Sequence, residues 1–162
     1  MYADNFMLDS EWWTLDDVFN RLSNFQSGEF ISDMDPDVIA RVEKCHSYLA
    51  SRIATKGGTI YGVNTGFGSL AHTKIAPDKL SELQDNILIS HACGVGDPVP
   101  DVIVRAMLLL KAKSLSQGHS AVKPETIFRL LDMLENNVTP VVPSQGSLGA
   151  SGDLAPLSHL AI

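Results

Sequence analysis

Apolar residues recur at three- and four-residue steps along most of the chain, a spacing that predicts amphipathic helices. The clearest run follows Asp35-Pro36 and ends at Gly57, with an apolar stripe made of Val38, Val42, Cys45, Leu49 and Ile53. Capping residues and helix-opening prolines predict further helices beginning near Thr14, Pro77, Asp101, Pro124 and Asp153. Residues 59–63 (TIYGV) are rich in β-forming side chains, which favours a short strand or an extended stretch. The expected fold class is therefore mainly α with a little β.

The helix expected after Asp101 has an unusual pattern. Its middle, residues 102–110, is apolar on nearly every side except at Arg105. A helix that is hydrophobic all round is normally buried. We therefore expect this helix to lie in the interior.

Composition narrows the classes of protein and partner. Of the 162 residues, 44% are hydrophobic and 19% are charged, which suits a globular chain with one core and excludes a disordered chain. A net charge of −7 argues against nucleic-acid and anionic-membrane partners, because both favour a basic surface. Cys45 and Cys93 are too few for a disulfide framework and have no metal-ligand spacing. With no apolar run long enough for a membrane helix and no secretion signal, a cytoplasmic location is expected.

The end of the chain is unusual for a natural domain. The helix expected after Asp153 stops at the apolar residue Ile162, without a polar tail or a glycine cap. We therefore expect residues 1–162 to form a single, truncated N-terminal domain of a longer protein.

Two glycine-rich motifs carry the candidate chemistry. The first is GSLGASGD at residues 146–153, and the second is YGVNTGFG at residues 61–68. Taken singly, each is most simply a turn that needs small residues. The first motif also lacks the final glycine of a G-x-S-x-G serine-hydrolase elbow and the Gly-Lys-Ser/Thr ending of a phosphate-binding loop.

Together, the two motifs resemble the aromatic amino-acid ammonia-lyase family, which includes the histidine, phenylalanine and tyrosine ammonia-lyases and the related aminomutases. Residues 146–160 (GSLGASGDLAPLSHL) look like the signature of that family almost without gaps. From about Leu8 onward the resemblance covers nearly the whole chain. It corresponds to roughly the first third of a family member, which implies that the long central helix bundle is absent.

The resemblance implies a prosthetic group made from the chain itself. In the family an Ala-Ser-Gly tripeptide cyclises and loses two waters to give 4-methylidene-imidazol-5-one, and the matching residues here are Ala150, Ser151 and Gly152. No metal is implied. Tyr61 matches the tyrosine base that removes the β-proton of the substrate. A phenol performs that task at neutral pH only if its anion is stabilised.

Three further residues have two open interpretations each. Asn64 and Gly68 either shape the substrate pocket through backbone contacts or serve as turn residues. His91 lies on an apolar helical stripe, where a histidine is often a packed core residue. However, residues 86–96 (NILISHACGVG) resemble bacterial histidine ammonia-lyases, and a histidine at a pocket can hydrogen-bond an imidazole. The remaining histidines are expected to be surface or packing residues: His46, His72, His119 and His159.

The resemblance therefore implies an enzyme that eliminates ammonia from L-histidine to give urocanate, assembled as a homotetramer. The alternatives within the family are tyrosine- or phenylalanine-specific ammonia-lyases and aminomutases. An alternative of another class is a non-catalytic folding or interaction module. We expect the isolated 162-residue chain to be inactive and its Ala150-Ser151-Gly152 tripeptide to be uncyclised, because strained backbone persists only when surrounding structure enforces it.

Overall fold

The computed structural model describes residues 5–9, 11–26, 31–56, 58–150 and 152–162. In chain order the regular elements are β1 (Asn5–Leu8), α1 (Leu15–Gln26), β2 (Ile31–Met34), α2 (Pro36–Lys56), α3 (Leu80–His91), β3 (Val95–Pro98), α4 (Asp101–Leu115), α5 (Pro124–Glu135), β4 (Pro143–Gln145) and α6 (Leu154–Ala161). Helices dominate and the strands have three or four residues each, so the expected fold class is confirmed. Among the described helices, none has both the length and the hydropathy needed to cross a bilayer.

The chain divides into two compact units. The first unit comprises Met1–Arg52 and Pro100–Thr139, and the second comprises Ile53–Val99 and Pro140–Ile162. The long helix α2 thus belongs mainly to the first unit and contributes its last turn to the second. The expectation of one domain over residues 1–162 stays a prediction.

In the first unit, helices α1, α4 and α5 pack together beside a two-stranded parallel sheet. Strand β1 pairs with β2 in a register that places Asn5 opposite Ile31 and Leu8 opposite Met34. The buried apolar side chains come from every element of the unit: Leu8, Val18, Leu22, Phe25, Met34, Val38, Val42, Val104, Leu108, Leu109, Ala112, Leu115, Ile127, Leu131 and Leu134.

Helix α1 begins as its sequence predicts. The Thr14 hydroxyl lies 3.2 Å from the backbone nitrogen of Asp17, while the Asp17 carboxylate accepts hydrogen bonds from the Thr14 hydroxyl and backbone N–H at 2.6 and 2.8 Å. This reciprocal arrangement is a capping box, which satisfies donors that the first helical turn leaves free. The hydroxyl and then the N–H of Thr14 hold the pKa of Asp17 below its ordinary value.

The expectation that α4 is buried all round is wrong. One face is buried, and there the Arg105 guanidinium donates to the carbonyl of Leu134 at 3.2 Å. On the other face, Val102, Ile103 and Leu110 are between 44% and 50% exposed. Apolar composition alone does not select the buried face, which is set by packing against α5 and α1.

A charged cluster joins the segment after β1 to α4. The Lys113 ammonium donates to both the carboxylate and the backbone carbonyl of Asp9, each at 2.8 Å, and it lies 4.3 Å from the centre of the Trp13 ring. Burial raises the pKa of Asp9, but the hydrogen bond and charge of Lys113, followed by the N–H donors of Trp13 and Glu11, outweigh it. The net effect is an Asp9 pKa below its ordinary value, so the folded state favours the carboxylate.

Substituting Asp9→Asn should therefore lower the free energy of unfolding at neutral pH by about 1 kcal/mol, the upper end for a partly exposed ion pair. A lowered folded-state pKa contributes stability above the ordinary value of 3.8, and this contribution is lost as the pH falls through the folded-state pKa. The difference between the two proteins should therefore vanish in acid. Denaturant unfolding followed by tryptophan fluorescence measures it, because both tryptophans, Trp12 and Trp13, lie in this unit.

The matched control for this measurement is Asp85→Asn, on an exposed position of α3. It should change the free energy of unfolding by no more than the few tenths of a kcal/mol typical of surface substitutions. An Asp9→Asn protein as stable as the unsubstituted chain at neutral pH would show that the cluster contributes nothing.

The second unit contains α3, α6 and an antiparallel pair of strands. Strand β3 pairs with β4, with Val95 opposite Gln145 and Pro98 opposite Pro143. Helices α3 and α6 are in contact, and α6 also contacts β4. Two 3₁₀ turns, Gly68–Leu70 and Pro77–Lys79, precede α3. The described residues of both glycine-rich motifs lie in this unit.

Candidate functional site

The loop that carries Tyr61, residues 59–68 and here called the Tyr61 loop, is not the expected strand or extended stretch. Residues 61–63 form a turn, in which the N–H groups of Val63 and Asn64 donate to the carbonyl of Ile60 at 3.1 and 3.2 Å. Gly62 has a φ of +77°, which favours glycine. The prediction is therefore wrong for residues 61–63, because local hydrogen bonds outweigh the β-forming tendency of the side chains.

Asn64 explains why this turn is stable. Its side chain is buried, its Oδ1 accepts from the N–H of Ile60 at 2.6 Å, and its Nδ2 donates to the carbonyl of Gly58 at 3.0 Å. Its backbone carbonyl accepts from the N–H of Ile75 at 2.9 Å. These bonds match the turn interpretation of Asn64. Its contribution to a substrate pocket stays a prediction.

Tyr61 presents its phenol at the surface of the second unit. The side chain is 62% exposed, and the hydroxyl oxygen accepts a hydrogen bond from the N–H of Gly68 at 3.3 Å. Gly68 has a φ of +54°, where glycine has no steric penalty. The Tyr61 ring meets the Phe67 ring edge-on, with centroids 5.9 Å apart. The loop therefore brings Tyr61 and Gly68 together and directs a backbone N–H donor at the phenol oxygen.

His91 ends helix α3 and is half-buried. Its Nδ1 lies 2.9 Å from the carbonyl oxygen of Ile87 and 3.1 Å from the hydroxyl of Ser90, which itself donates to the same carbonyl at 3.0 Å. Because a carbonyl can only accept, Nδ1 carries the proton. In the neutral ring, Nε2 is then left as a hydrogen-bond acceptor.

The glycine-rich loop at residues 146–153, here called the signature loop, folds back on itself. The Gly152 N–H donates to the carbonyl of Gly149 at 3.4 Å, and the φ angles of these two glycines are +82° and +71°. Both Ala150 and Gly152 are exposed, and among the described residues other than its chain neighbours, none has an atom within 4 Å of the position that a Gly152 side chain would occupy. Ser151 lies outside the described residues.

The interpretation of Asp153 as a side-chain cap for α6 is wrong. Asp153 occupies the N-cap position, but its backbone is left-handed and its side chain makes no capping bond. Instead, its carboxylate accepts a hydrogen bond from the Ser147 hydroxyl at 2.6 Å, and Ser147 also accepts from the N–H of Gly149 at 3.2 Å. The carboxylate therefore closes the signature loop across its ends rather than capping the helix.

The end of α3 and the signature loop meet at Gly94. The Gly94 N–H donates to Nε2 of His159, on α6, at 2.9 Å. A side chain on Gly146 would lie 2.9 Å from the α-carbon of Gly94, so the two backbones are in direct contact. The structure thus brings the segment after His91 against both the start of the signature loop and the helix that follows it.

Other predicted site residues are not joined directly. Among the described residues, no hydrogen bond links Tyr61, Asn64 or Gly68 to His91, Ala150 or Gly152. Within the described ranges, no three His, Cys, Asp or Glu side chains are grouped closely enough to hold a metal ion. Sequence reasoning missed His159, because its partner Gly94 is 65 residues away.

Comparison with known proteins agrees with these motifs. Residues 14–162 match the aromatic amino acid lyase family. Over 110 residues, 68% of this chain, the sequence is 56% identical to histidine ammonia-lyase of Paracidovorax citrulli, and over 137 residues, 82% of this chain, it is 52% identical to histidine ammonia-lyase of Geobacillus thermodenitrificans. These matches span 22% and 27% of the two relatives, so the chain corresponds to about a quarter of their length.

A solved structure shows the same fold. The tyrosine aminomutase of Streptomyces globisporus superposes with a TM-score of 0.84 and 35% sequence identity, over 97% of this chain and 28% of that one. The match to the family covers both glycine-rich motifs and all six helices of the structure. The chain therefore belongs to the aromatic amino acid lyase family.

Proposed function

We propose that this chain forms part of an enzyme that eliminates ammonia from L-histidine to give urocanate. The observation that carries the proposal is the state of His91. With Nδ1 donating to Ile87, the neutral His91 ring presents the Nε2 lone pair, and a substrate imidazole N–H can donate to it. Relatives that are more than half identical to this chain over the matched residues are named histidine ammonia-lyase, which supports the same substrate.

The second candidate is a tyrosine-specific lyase or aminomutase. The tyrosine aminomutase fold described above favours it, and a phenol O–H can also donate to Nε2 of His91. A phenylalanine ring offers no donor, so a phenylalanine-specific enzyme would leave Nε2 unsatisfied.

The prosthetic group expected from Ala150, Ser151 and Gly152 fits the signature loop. Cyclisation requires the Gly152 nitrogen to reach the carbonyl of Ala150, and the loop already turns this nitrogen back to the preceding carbonyl, that of Gly149. Once formed, 4-methylidene-imidazol-5-one supplies an electrophile that withdraws electrons from the substrate and so acidifies its β-proton.

The hydrogen bond and the exposure of this loop also support an unmodified tripeptide in the isolated 162-residue chain. The Gly152 N–H is bonded to the carbonyl of Gly149 rather than pressed against that of Ala150, and both Ala150 and Gly152 are exposed. The isolated chain is then inactive, and activity belongs to the complete polypeptide that carries this sequence.

Tyr61 is the proposed base for the β-proton. The Gly68 N–H donates to the phenol oxygen at 3.3 Å and holds it in place for this role. The exposure of Tyr61, together with that of Leu148 at 93% in the signature loop, supports a site completed by other subunits of a homotetramer. The free thiols of Cys45 and Cys93 support a reducing, cytoplasmic location.

The proposal is tested by assaying the complete polypeptide with L-histidine, L-tyrosine and L-phenylalanine, following both ammonia and the unsaturated acid. Histidine should be the preferred substrate. In His91→Leu, kcat/KM for histidine should fall by about tenfold to a hundredfold, the equivalent of one good hydrogen bond in a closed site. Relative activity toward phenylalanine should rise, because leucine offers apolar contact to a phenyl ring.

The matched control is His119→Leu, the same substitution at an exposed histidine of the first unit. It should leave the substrate preference unchanged. Preference for tyrosine in the unsubstituted protein would favour the second candidate. If none of the three amino acids is converted, either to ammonia and the unsaturated acid or to a β-amino acid, a non-catalytic module is favoured.

A further inference from the structure

We propose that His159 is a positioning residue of this site, which holds the segment after His91 in place against the signature loop. This inference rests on the proposed function, since it concerns how His91 is placed relative to Ala150 and Gly152. It assigns a role in substrate orientation to a histidine that has no place in the chemistry described above.

The hydrogen bond defines the chemical requirement. The Gly94 N–H is the donor, so Nε2 of His159 must be the acceptor and the ring carries its proton on Nδ1. The bond connects α6 to the backbone three residues after His91, in a half-buried setting. Losing the acceptor would leave the Gly94 N–H without its partner, at a cost comparable to a lost hydrogen bond.

Steric contacts pack closely around Gly94. A side chain on Gly94 would lie 2.8 Å from Nε2 of His159 and 3.0 Å from the β-carbon of Pro143, so the imidazole and the proline of β4 occupy that space. A side chain on Gly146 would lie 2.9 Å from the Gly94 α-carbon. Gly94 is therefore enclosed by α6, by β4 and by the first residue of the signature loop.

Because Gly94 is enclosed in this way, the segment that carries His91 is linked to the signature loop, which carries Ala150 and Gly152. His91 is followed by Ala92 and Cys93, whose N–H groups donate back to Leu88 and His91, so the backbone from His91 to Gly94 is ordered by local bonds. A shift of Gly94 away from α6 would therefore move the His91 ring. Displacements near 1 Å can cost a large part of the rate when a substrate is held for reaction.

The test is a double-substitution cycle in the complete polypeptide. His159→Asn removes the acceptor at the Nε2 position, whereas His159→Gln can place its Oε1 there. We expect His159→Asn to lower kcat/KM for histidine by about tenfold, and we expect His159→Gln to restore most of it. In a His91→Leu background, His159→Asn should lower kcat/KM further by no more than about twofold, the error of additivity.

Hydrogen exchange of the Gly94 amide gives a readout that does not need activity. Protection should be lost in His159→Asn and kept in His159→Gln. Far-UV circular dichroism identifies any variant that fails to fold, and the control His119→Leu should match the unsubstituted protein in both measurements.

The outcomes separate the two proposals. If the unsubstituted protein releases no ammonia from histidine, tyrosine or phenylalanine, the proposed function fails. A second outcome is that the unsubstituted protein is active while His159→Asn lowers kcat/KM by the same factor with His91 present and in the His91→Leu background. In that case His159 acts on the fold in general and this inference is wrong. Unchanged activity in His159→Asn would overturn it equally.

Discussion

Replacing Tyr61 with phenylalanine should lower turnover of L-histidine by the complete polypeptide by more than about a hundredfold, the minimum typical of losing a general base. The substitution removes the oxygen that accepts the Gly68 N–H but keeps the ring that meets Phe67 edge-on. Since the ring contact and the Asn64 bonds remain, circular dichroism and thermal unfolding should change little. Steady-state release of ammonia measures the loss.

Tyr48 provides a closely matched control. Its ring is 64% exposed against 62% for Tyr61, and its hydroxyl likewise accepts a hydrogen bond of 3.3 Å, in this case from Arg52 on α2. Tyr48→Phe should leave turnover unchanged. If Tyr61→Phe retained near-normal turnover, Tyr61 would be a packing residue of its loop and not the base.

An effect at least as large is expected for Ser151→Ala. Without the Ser151 hydroxyl, the exocyclic methylene of the prosthetic group cannot form by loss of water. We expect turnover to fall by about a thousandfold or more, beyond the roughly 10²–10³ that losing one oxyanion donor costs. Intact mass gives an independent measurement: the complete unsubstituted polypeptide should be lighter than its sequence by two waters, and the Ser151→Ala variant should not be.

Ser147→Ala is the control that tests whether the loss of two waters depends on Ser151 in particular or on any serine hydroxyl of the signature loop. Ser147 hydrogen-bonds Asp153 and Gly149 across the signature loop, so its removal loosens the loop but leaves Ala150, Ser151 and Gly152 intact. Its mass should still be short by two waters. A deficit of two waters that persisted in Ser151→Ala would contradict the origin proposed for the group.

The helices could be predicted well because their signals are local. The Thr14 capping box, the prolines at the starts of α2 and α5, and the apolar stripe of α2 each depend on residues within a few positions of one another. The strands were harder to predict. Strands β1 and β2 have four residues each, too few for an alternation of apolar and polar residues to be recognised. They pair with each other although the whole of α1 lies between them in the sequence.

Local competition explains the two wrong expectations in the candidate site. For residues 59–63, β-forming side chains pointed to a strand, but the Asn64 side chain bonds the backbone of Ile60 and Gly58 and fixes a turn. For Asp153, the composition pointed to a helix cap, but the nearby Ser147 hydroxyl takes the carboxylate. In both cases a side-chain hydrogen bond seen only in the folded backbone overrode the tendency expected from the local sequence.

By itself, the sequence determined the mainly helical class, the family and the two motifs, because these depend on spacing and identity along the chain. The tertiary structure alone decided which face of α4 is buried. It also decided that His159 accepts a hydrogen bond from the Gly94 N–H. These features depend on atoms from distant parts of the chain that meet within about 3 Å, the range over which hydrogen bonds and steric exclusion act.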